Sequence, residues 1–574
     1  MSIQSVSPAS QPKPRGASFA ELFTPKLVTV LREGYTLKNL RSDAVSGLTV
    51  AIVALPLSMA IAIASGATPA QGLYTAAVGG FLVSLLGGSR FQIGGPAGAF
   101  IVLVSATVAQ HGMDGLILAT FLSGLLLAAV GFLRLGTFIK FIPFPVTVGF
   151  TAGIAVIIFS SQVKDLLGLT LSVPEPGPLL QKLPVLWTAL PTISPWAMAL
   201  SFGAAAIIIG LKKVRPHWPG MLIAVAIAAF VTWKFQLNVT TIGSKFGGIP
   251  STLPAPALPA LSLAKVIEVL PAALSFTLLG AIESLLSAVV ADGMTGRRHR
   301  SNCELVAQGA ANIGSALFGG FCVTGTIART ATNVRSGAHG PVSGMLHAAF
   351  ILIFMAVAAP LAAFIPLASL AGVLAVVSWN MIEKPAIAVL VRSGWGDVAV
   401  LAATFFLTIF RDLTEAIVVG FALGSVLFIH RMSKATAVET RTPFVGEDVA
   451  DSSLPRGGYD EALEANPELV VYRITGAFFF GAAASIAAVL DRIQDTHKAL
   501  IVDFAAVPFL DSTGANVMEG LAHKAGKRGV KLFVSAANAD VRRSLLTHGV
   551  RPPAVNFAAT IEDALAQYGE LAPA

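Results

Sequence analysis

"GGSRFQIGGPAGAF" (87–100) and "GGFCVTGTIARTA" (319–331) are built alike. In each, a Gly-Gly pair ends one apolar run, a few irregular residues follow, and a short helix opens on a cluster of small residues. Whether this pair is loop or membrane interior decides the fold. Apolar segments long enough to cross or half cross a bilayer surround both copies. About fourteen follow one another, near 44–65, 70–87, 97–110, 115–133, 141–161, 195–211, 217–234, 266–291, 304–319, 325–337, 342–365, 367–382, 397–411 and 413–431. The two copies then open spans 3 and 10. An offset of seven spans turns the second copy upside down, which gives an inverted repeat of seven plus seven. Short, Gly/Pro-interrupted segments at matching places in two halves are the sequence mark of a transporter's binding site.

Composition supports the membrane assignment. The 574 residues are 55% hydrophobic and 12% charged, with mean hydropathy +0.76, whereas soluble domains carry about 25% charged residues. The net charge of +8 suits anionic lipid and does not suggest nucleic acid. Two cysteines, Cys303 and Cys322, are too few for a disulfide framework. Basic residues set the topology. Arg134 and Lys140, Lys212, Lys213 and Arg215, Arg297, Arg298 and Arg300, and Lys384 and Arg392 all follow even-numbered spans. They share a side with Arg32, Lys38 and Arg41 before span 1 and with Arg431 and Lys434 after span 14. Both termini are therefore expected in the cytoplasm, with the chain multi-pass in the inner (plasma) membrane.

The expected organisation is a cytoplasmic segment over 1–43, a transport domain over 44–432, a polar linker over 433–465 and a soluble α/β domain over 466–574. Strand-like runs at 468–480, 499–511 and 530–537 alternate with helical ones at 482–493, from Ser512, and at 539–549. That alternation predicts a small domain with a mostly parallel sheet.

Three features carry chemistry. A helix N-terminus presents unpaired N–H groups and about half a positive charge, so two such ends meeting at the midplane form an anion site. Gly95, Pro96, Ala97, Gly98, Ala99 and Phe100 supply one end. Thr324, Gly325 and Thr326 supply the other, with hydroxyls as further donors. Arg329, one turn into span 10, adds charge near the site or reaches back to the cytoplasm, as Arg335 does more naturally. In span 1, "AIVALPLSMAIA" (51–62) places Pro56 where a kink would free carbonyls beside Ser58. In span 8, "FTLLGAIESLLSAVVADGM" (276–294) places Glu283 in a run whose other residues from Leu270 to Ala291 are apolar, small or hydroxyl-bearing, with Ser287 a turn further on the same face. A central acidic residue costs roughly 2.5–3.5 kcal/mol on insertion scales and usually marks an ion pathway. Desolvation favours the neutral form of a carboxylate, which makes Glu283 a proton-coupling candidate. Bringing one negative charge into a cell at −100 mV costs about 2.3 kcal/mol, so an anion importer needs a coupled cation or an exchanged anion.

Together these residues resemble the SulP family of anion permeases, the solute carrier 26 type. "GLTVAIVALPLSMAIAIASGATPAQGLYTA" (47–76), "GGPAGAF" (94–100) and the C-terminal domain, which looks like a STAS domain, carry the likeness. The resemblance implies fourteen spans in a seven-plus-seven inverted repeat. It divides them into a core (spans 1–4 and 8–11) and a gate (spans 5–7 and 12–14), with an elevator-like movement between them and a homodimer. It puts the anion between spans 3 and 10, beside spans 1 and 8. Residues 279–313 are most similar to the bacterial C4-dicarboxylic acid transporter branch, which implies succinate or fumarate as substrate. Sulfate and bicarbonate remain open, as does uncoupled exchange or a channel. Sodium-coupled bicarbonate members have an aspartate at the position of Glu283, and the longer side chain here favours protons. "FLDSTGANV" (509–517) resembles the phosphorylated segment of anti-sigma-factor antagonists, which makes Ser512 a regulatory candidate; a plain helix cap by Asp511 or Ser512 accounts for the same residues. The STAS-like domain would serve assembly or regulation through cytosolic protein partners. No metal-ligand cluster, cofactor motif or nucleophile constellation points to an enzyme.

Overall fold

The computed structural model describes residues 19–139, 143–173, 175–176, 178–215, 218–411, 413–435, 437–441, 469–479 and 498–571. Lys140, the linker from 442 to 468 and the helix expected at 482–493 lie outside these, as do residues 1–18. The chain forms two compact units, Met1–Phe421 and Ala422–Ala574.

In the first unit, a helix stands at each expected span. Among the described residues nine helices are long and apolar enough to cross a membrane, and Gly220–Phe235 and Trp395–Phe410 are shorter apolar ones. Span 1 is Leu37–Ala64, span 2 is Pro69–Leu86, and one element, Gly98–Phe132, serves spans 3 and 4. It breaks at Gly112, whose φ of 69° and ψ of −173° are not helical; the corner between the spans is a single glycine conformation. Span 8 is Leu263–Thr295, span 9 Ser301–Leu317, span 10 Ile327–Arg335 and span 11 Val342–Ala362. Span 10 has nine residues and crosses only half a bilayer. Short helices that the hydropathy pattern did not mark stand at Leu179–Ala189, Ile242–Phe246 and Lys384–Ser393. Lys182 lies on the first of these, buried and 2.8 Å from Glu175.

The two quoted segments meet. Strand β1 (Gly94–Gly95) pairs antiparallel with strand β2 (Thr324–Gly325), Gly94 opposite Gly325 and Gly95 opposite Thr324. Irregular backbone is tolerated at membrane depth only if the protein satisfies its polar groups, and here side chains do so. Asn312 of span 9 accepts from the Val323 N–H at 2.9 Å and donates to the Val323 carbonyl at 2.8 Å. Thr75 of span 2 accepts from the Phe321 N–H at 2.9 Å, and Ser315 donates to the Phe321 carbonyl at 2.7 Å. On the other approach, Thr330 accepts from the Ile93 N–H at 3.1 Å and Asn333 donates to the Phe91 carbonyl at 2.9 Å. Asn333 also accepts from Ser46 of span 1 at 2.7 Å and from Ser343 of span 11. Span 2 is wound as a π-helix over Thr75–Gly79, beside this crossing; such bulges frequently mark functional sites.

The second unit contains a five-stranded sheet in sequence order: β3 (Ala437–Arg441), β4 (Leu469–Thr475), β5 (Ala499–Ala506), β6 (Lys531–Ser535) and β7 (Asn556–Ala558). All neighbours are parallel except β3 and β4. Strand β3 falls in the segment whose polarity reads as linker. Among the described residues, helices Ser512–Lys527, Ala539–Thr547 and Ile561–Leu571 accompany the sheet. Asp511 caps the first of them, accepting from the Gly514 N–H at 2.8 Å, which leaves Ser512 exposed at its start. Both cysteines are free and buried.

The Asn312 bonds predict a stability effect. Replacing Asn312 by Leu leaves the Val323 N–H and carbonyl unpaired, at about 1–3 kcal/mol for each. Heating the purified protein and following its monodisperse fraction should show the variant failing several degrees below the parent.

Candidate functional site

Two helices begin at the crossing and run away from it. A turn of 3-10 helix, Gly98–Phe100, leads into span 3 after N-cap Ala97, and span 10 begins after N-cap Thr326. Neither N-terminus is capped by a side-chain hydrogen bond. The hydroxyls proposed as extra donors are otherwise engaged: Thr324 Oγ1 donates to the Gly280 carbonyl of span 8 and Thr326 Oγ1 to the Ile93 carbonyl, both at 3.3 Å. They hold the ribbon to its neighbours.

Arg329 lies behind the ribbon and does not reach back to the membrane surface. It is 1% exposed, whereas Arg335 is exposed. Its Nη2 donates to Ser58 Oγ at 3.1 Å and to the Pro96 carbonyl at 3.2 Å, so one guanidinium links spans 10 and 1 to the start of span 3. Among the described residues its Nε and Nη1 have no partner and no carboxylate forms an ion pair with it. Gly95 makes room for it. A Cβ on Gly95 would collide with Nη1, and the residue's φ of 156° disfavours any side chain.

Ser58 is thus joined to Arg329, whereas Pro56 is not. Pro56 lies inside an unbroken helix and faces an apolar cavity of about 600 Å³, with Leu55, Met59, Val225 and Phe354 among its walls. Ala97 and Ala99 are buried, and Phe100 packs on Phe276 of span 8 with ring centroids 6.1 Å apart.

Glu283 is 8% exposed, and its carboxylate has no hydrogen bond or ion pair among the described residues. Its orientation follows from its helix neighbours. Gly280, three residues earlier, accepts from Thr324, and Ser287, four residues later, donates to Thr330 Oγ1 at 3.0 Å. Positions i−3 and i+4 share the face of residue i, so Glu283 faces the ribbon and span 10. Ser287 is engaged by Thr330 rather than by Glu283.

Four polar residues belong to this region that the sequence reading did not single out: Gln92, Thr330, Asn333 and His347. Gln92 lies over Gly325, where any Cβ would overlap its amide. The signal for Asn312 and Gln308 was present, as polar residues inside an apolar helix. The partners were not, since they are distant in sequence.

The comparisons with known proteins bear on this arrangement. Residues 40–404 match the sulfate permease family and residues 462–564 the STAS domain. The chain belongs to the sulfate permease family. Over 522 residues it is 39% identical to the putative sulfate transporter YvdB of Bacillus subtilis, covering 90% of this chain and 95% of that one. It is 30% identical over 530 residues to the bicarbonate transporter BicA of a Picosynechococcus strain, covering 88% and 90%. Among solved structures, SLC26A9 superposes with a TM-score of 0.81 at 18% identity, covering 95% of this chain and 93% of that one, which establishes the shared fold. The transmembrane domain of a cyanobacterial BicA covers 67% of this chain at 31% identity, with a TM-score of 0.59. This permease is therefore a polytopic anion transporter with a C-terminal STAS domain, and its relatives are named as transporters rather than enzymes.

The close approach at Gly95 generates a prediction. In Gly95→Ala the new methyl displaces the Arg329 guanidinium, and the apparent KM for anion uptake rises on the order of tenfold, about 1.4 kcal/mol, in protein that still elutes as a single folded species.

Proposed function

We propose that this permease carries a compact oxyanion, sulfate or bicarbonate in size, into the cell together with protons. The observation that carries the reading is Arg329, a buried guanidinium with two nitrogens unpaired and no counter-charge among the described residues. A buried ion without a partner costs several kcal/mol, and an anion between Arg329 and the two uncapped helix ends removes that cost. One guanidinium suits a small anion whose charge is gathered in one place. The relatives' names agree with that size.

The coupling role falls to Glu283. A neutral Glu283 lets the ribbon and its helices cross the apolar interior with Arg329 balancing a monoanion such as bicarbonate, or one of the two charges of sulfate; an ionised one adds a further negative charge. The spans carrying Arg329 and Glu283 would move as one body against the remaining spans, in an elevator-like step. Basic residues on one side of the membrane support placing both termini and the STAS domain in the cytoplasm, and the family likeness supports a homodimer. The STAS domain would then receive regulation from cytosolic proteins, with Ser512 exposed at a helix start as a site for it.

A second substrate class, C4-dicarboxylates, is favoured by the likeness of residues 279–313 to that branch. Its carboxylates lie at two ends of the molecule, so a second cationic contact besides Arg329 would be needed.

Liposomes holding the purified protein test both. Labelled sulfate, bicarbonate and succinate are offered with the outside more acidic. Sulfate or bicarbonate uptake that requires the gradient, and loses that requirement or stops in Glu283→Gln, supports the main reading. Succinate uptake with neither of the others transfers it to the dicarboxylate class. Uptake that follows voltage and ignores the pH gradient in the parent protein contradicts proton coupling.

A further inference from the structure

On the membrane face that carries most of the basic residues, three of them come together from separate parts of the chain. Helices Phe19–Phe23 and Lys26–Arg32 precede span 1. The turn Gly87–Gly88, between span 2 and strand β1, holds two basic residues by their backbones. The Lys26 N–H donates to the Gly87 carbonyl at 2.9 Å, and the Arg300 N–H donates to the Gly88 carbonyl at 3.0 Å. Arg90 follows on the same loop. A Cβ on Gly88 would lie 2.2 Å from the Arg300 carbonyl oxygen, so the close approach requires glycine.

The carboxylates nearby are engaged elsewhere. Glu33 pairs with Arg90, and Asp292 accepts from the His299 N–H at 3.0 Å and meets its ring at 2.7 Å. Glu304 is buried and accepts from the Ser89 N–H at 2.9 Å and from Gln308 at 3.0 Å. Arg300 spends Nη1 on the Thr24 carbonyl at 2.7 Å and on Thr29 Oγ1 at 3.1 Å. Among the described residues no carboxylate forms an ion pair with Lys26 or Arg300. Burial, together with the charges of Arg300 and Arg90, lowers the pKa of the half-buried Lys26. An ammonium without a counter-ion beside two guanidinium groups is a place for an anion such as a phosphate.

The surroundings indicate which phosphate. Phe23 packs on Phe19 and on Phe132 at the end of span 4, with ring centroids 4.5 and 5.5 Å away. Phe19, Leu31 and Phe132 remain exposed. Large apolar side chains exposed beside basic ones at the ends of spans suit the boundary between acyl chains and headgroups. A free anion would use the cations alone, whereas an anionic phospholipid uses both features. Its headgroup attraction is about 1 kcal/mol for each basic residue near the surface.

We propose that Lys26 and Arg300, in the field of Arg90, hold the phosphate of an anionic phospholipid whose acyl chains lie along Phe19 and Leu31. The lipid joins the N-terminal helices to the turn from which the chain runs into strand β1, and so steadies the entry to the ribbon. The site depends neither on which anion is carried nor on how uptake is coupled.

The test is a melting series on the full-length protein in detergent, with phosphatidylglycerol, phosphatidylcholine or inorganic phosphate added, for the parent, Lys26→Gln and Arg298→Gln. Arg298 is exposed on the same loop as Arg300 and controls for diffuse surface charge. Phosphatidylglycerol is expected to raise the parent's melting temperature where phosphatidylcholine does not. In Lys26→Gln the concentration giving half the effect rises on the order of tenfold, about 1.4 kcal/mol, and in Arg298→Gln it moves far less. No gain over phosphatidylcholine in the parent, or equal shifts in the two variants, overturns the proposal. A gain with inorganic phosphate that matches the lipid's and is lost in Lys26→Gln also overturns it, by showing a site for free phosphate. If Lys26→Gln does not fold, phosphatidylglycerol with a photoreactive headgroup is crosslinked to the parent and the adducts are mapped. Adducts within residues 19–33, 87–90 or 297–300 support the site, and adducts confined elsewhere overturn it.

Discussion

A guanidinium buried at the meeting point of two half-helices, with two of its nitrogens unpaired among the described residues, is the constraint on which the rest of this structure depends. Arg329 cannot be accommodated in lipid without an anion or an elaborate polar surrounding. Its remaining donor satisfies Ser58 and the Pro96 carbonyl, and it fits only because Gly95 has no side chain. The short antiparallel ribbon brings the ends of spans 3 and 10 within reach of that charge. The ribbon in turn needs Asn312, Asn333, Thr75 and Thr330 to satisfy backbone that no helix pairs. Removing any of these leaves a polar group unpaired inside the membrane region.

The electrostatics of the site are arranged in opposition. A positive group and two helix N-termini come together at the ribbon, where the proposed anion would sit, while Glu283 faces the ribbon from span 8 without a partner among the described residues. A carboxylate and a guanidinium that face one ribbon without pairing with each other leave both groups available for ligands. This distinguishes a transport site from a structural salt bridge, which would have closed on itself.

Much of this was legible in the sequence, for a physical reason. Helices that cross lipid must be apolar for most of their length, so the spans, the isolated Glu283 and the paired Gly-rich entries at 87–100 and 319–331 were visible in hydropathy and local composition. The α/β alternation after residue 466 was equally plain. What stayed hidden depends on contacts between distant residues. Nothing local says that Asn312 pairs with Val323 across a turn, that Asn333 joins Phe91, Ser46 and Ser343, or that the hydroxyls of Thr324 and Thr326 bond carbonyls instead of an anion. A proline in a span suggests a kink, whereas the helix runs on through Pro56, which lines an apolar cavity. Strand β3 was hidden because an edge strand in a polar segment lacks the alternation that marks a buried one.

The claim that Arg329 holds the anion is open to direct measurement. Ligand binding to the folded state raises thermal stability in proportion to the logarithm of occupancy. Heating the purified parent protein and Arg329→Gln across a sulfate titration, with bicarbonate and succinate in parallel, compares the two. The account predicts that the parent gains stability with at least one of these anions and that Arg329→Gln, soluble and folded, gains none. An equal, saturable gain in the variant would show that the anion is bound elsewhere.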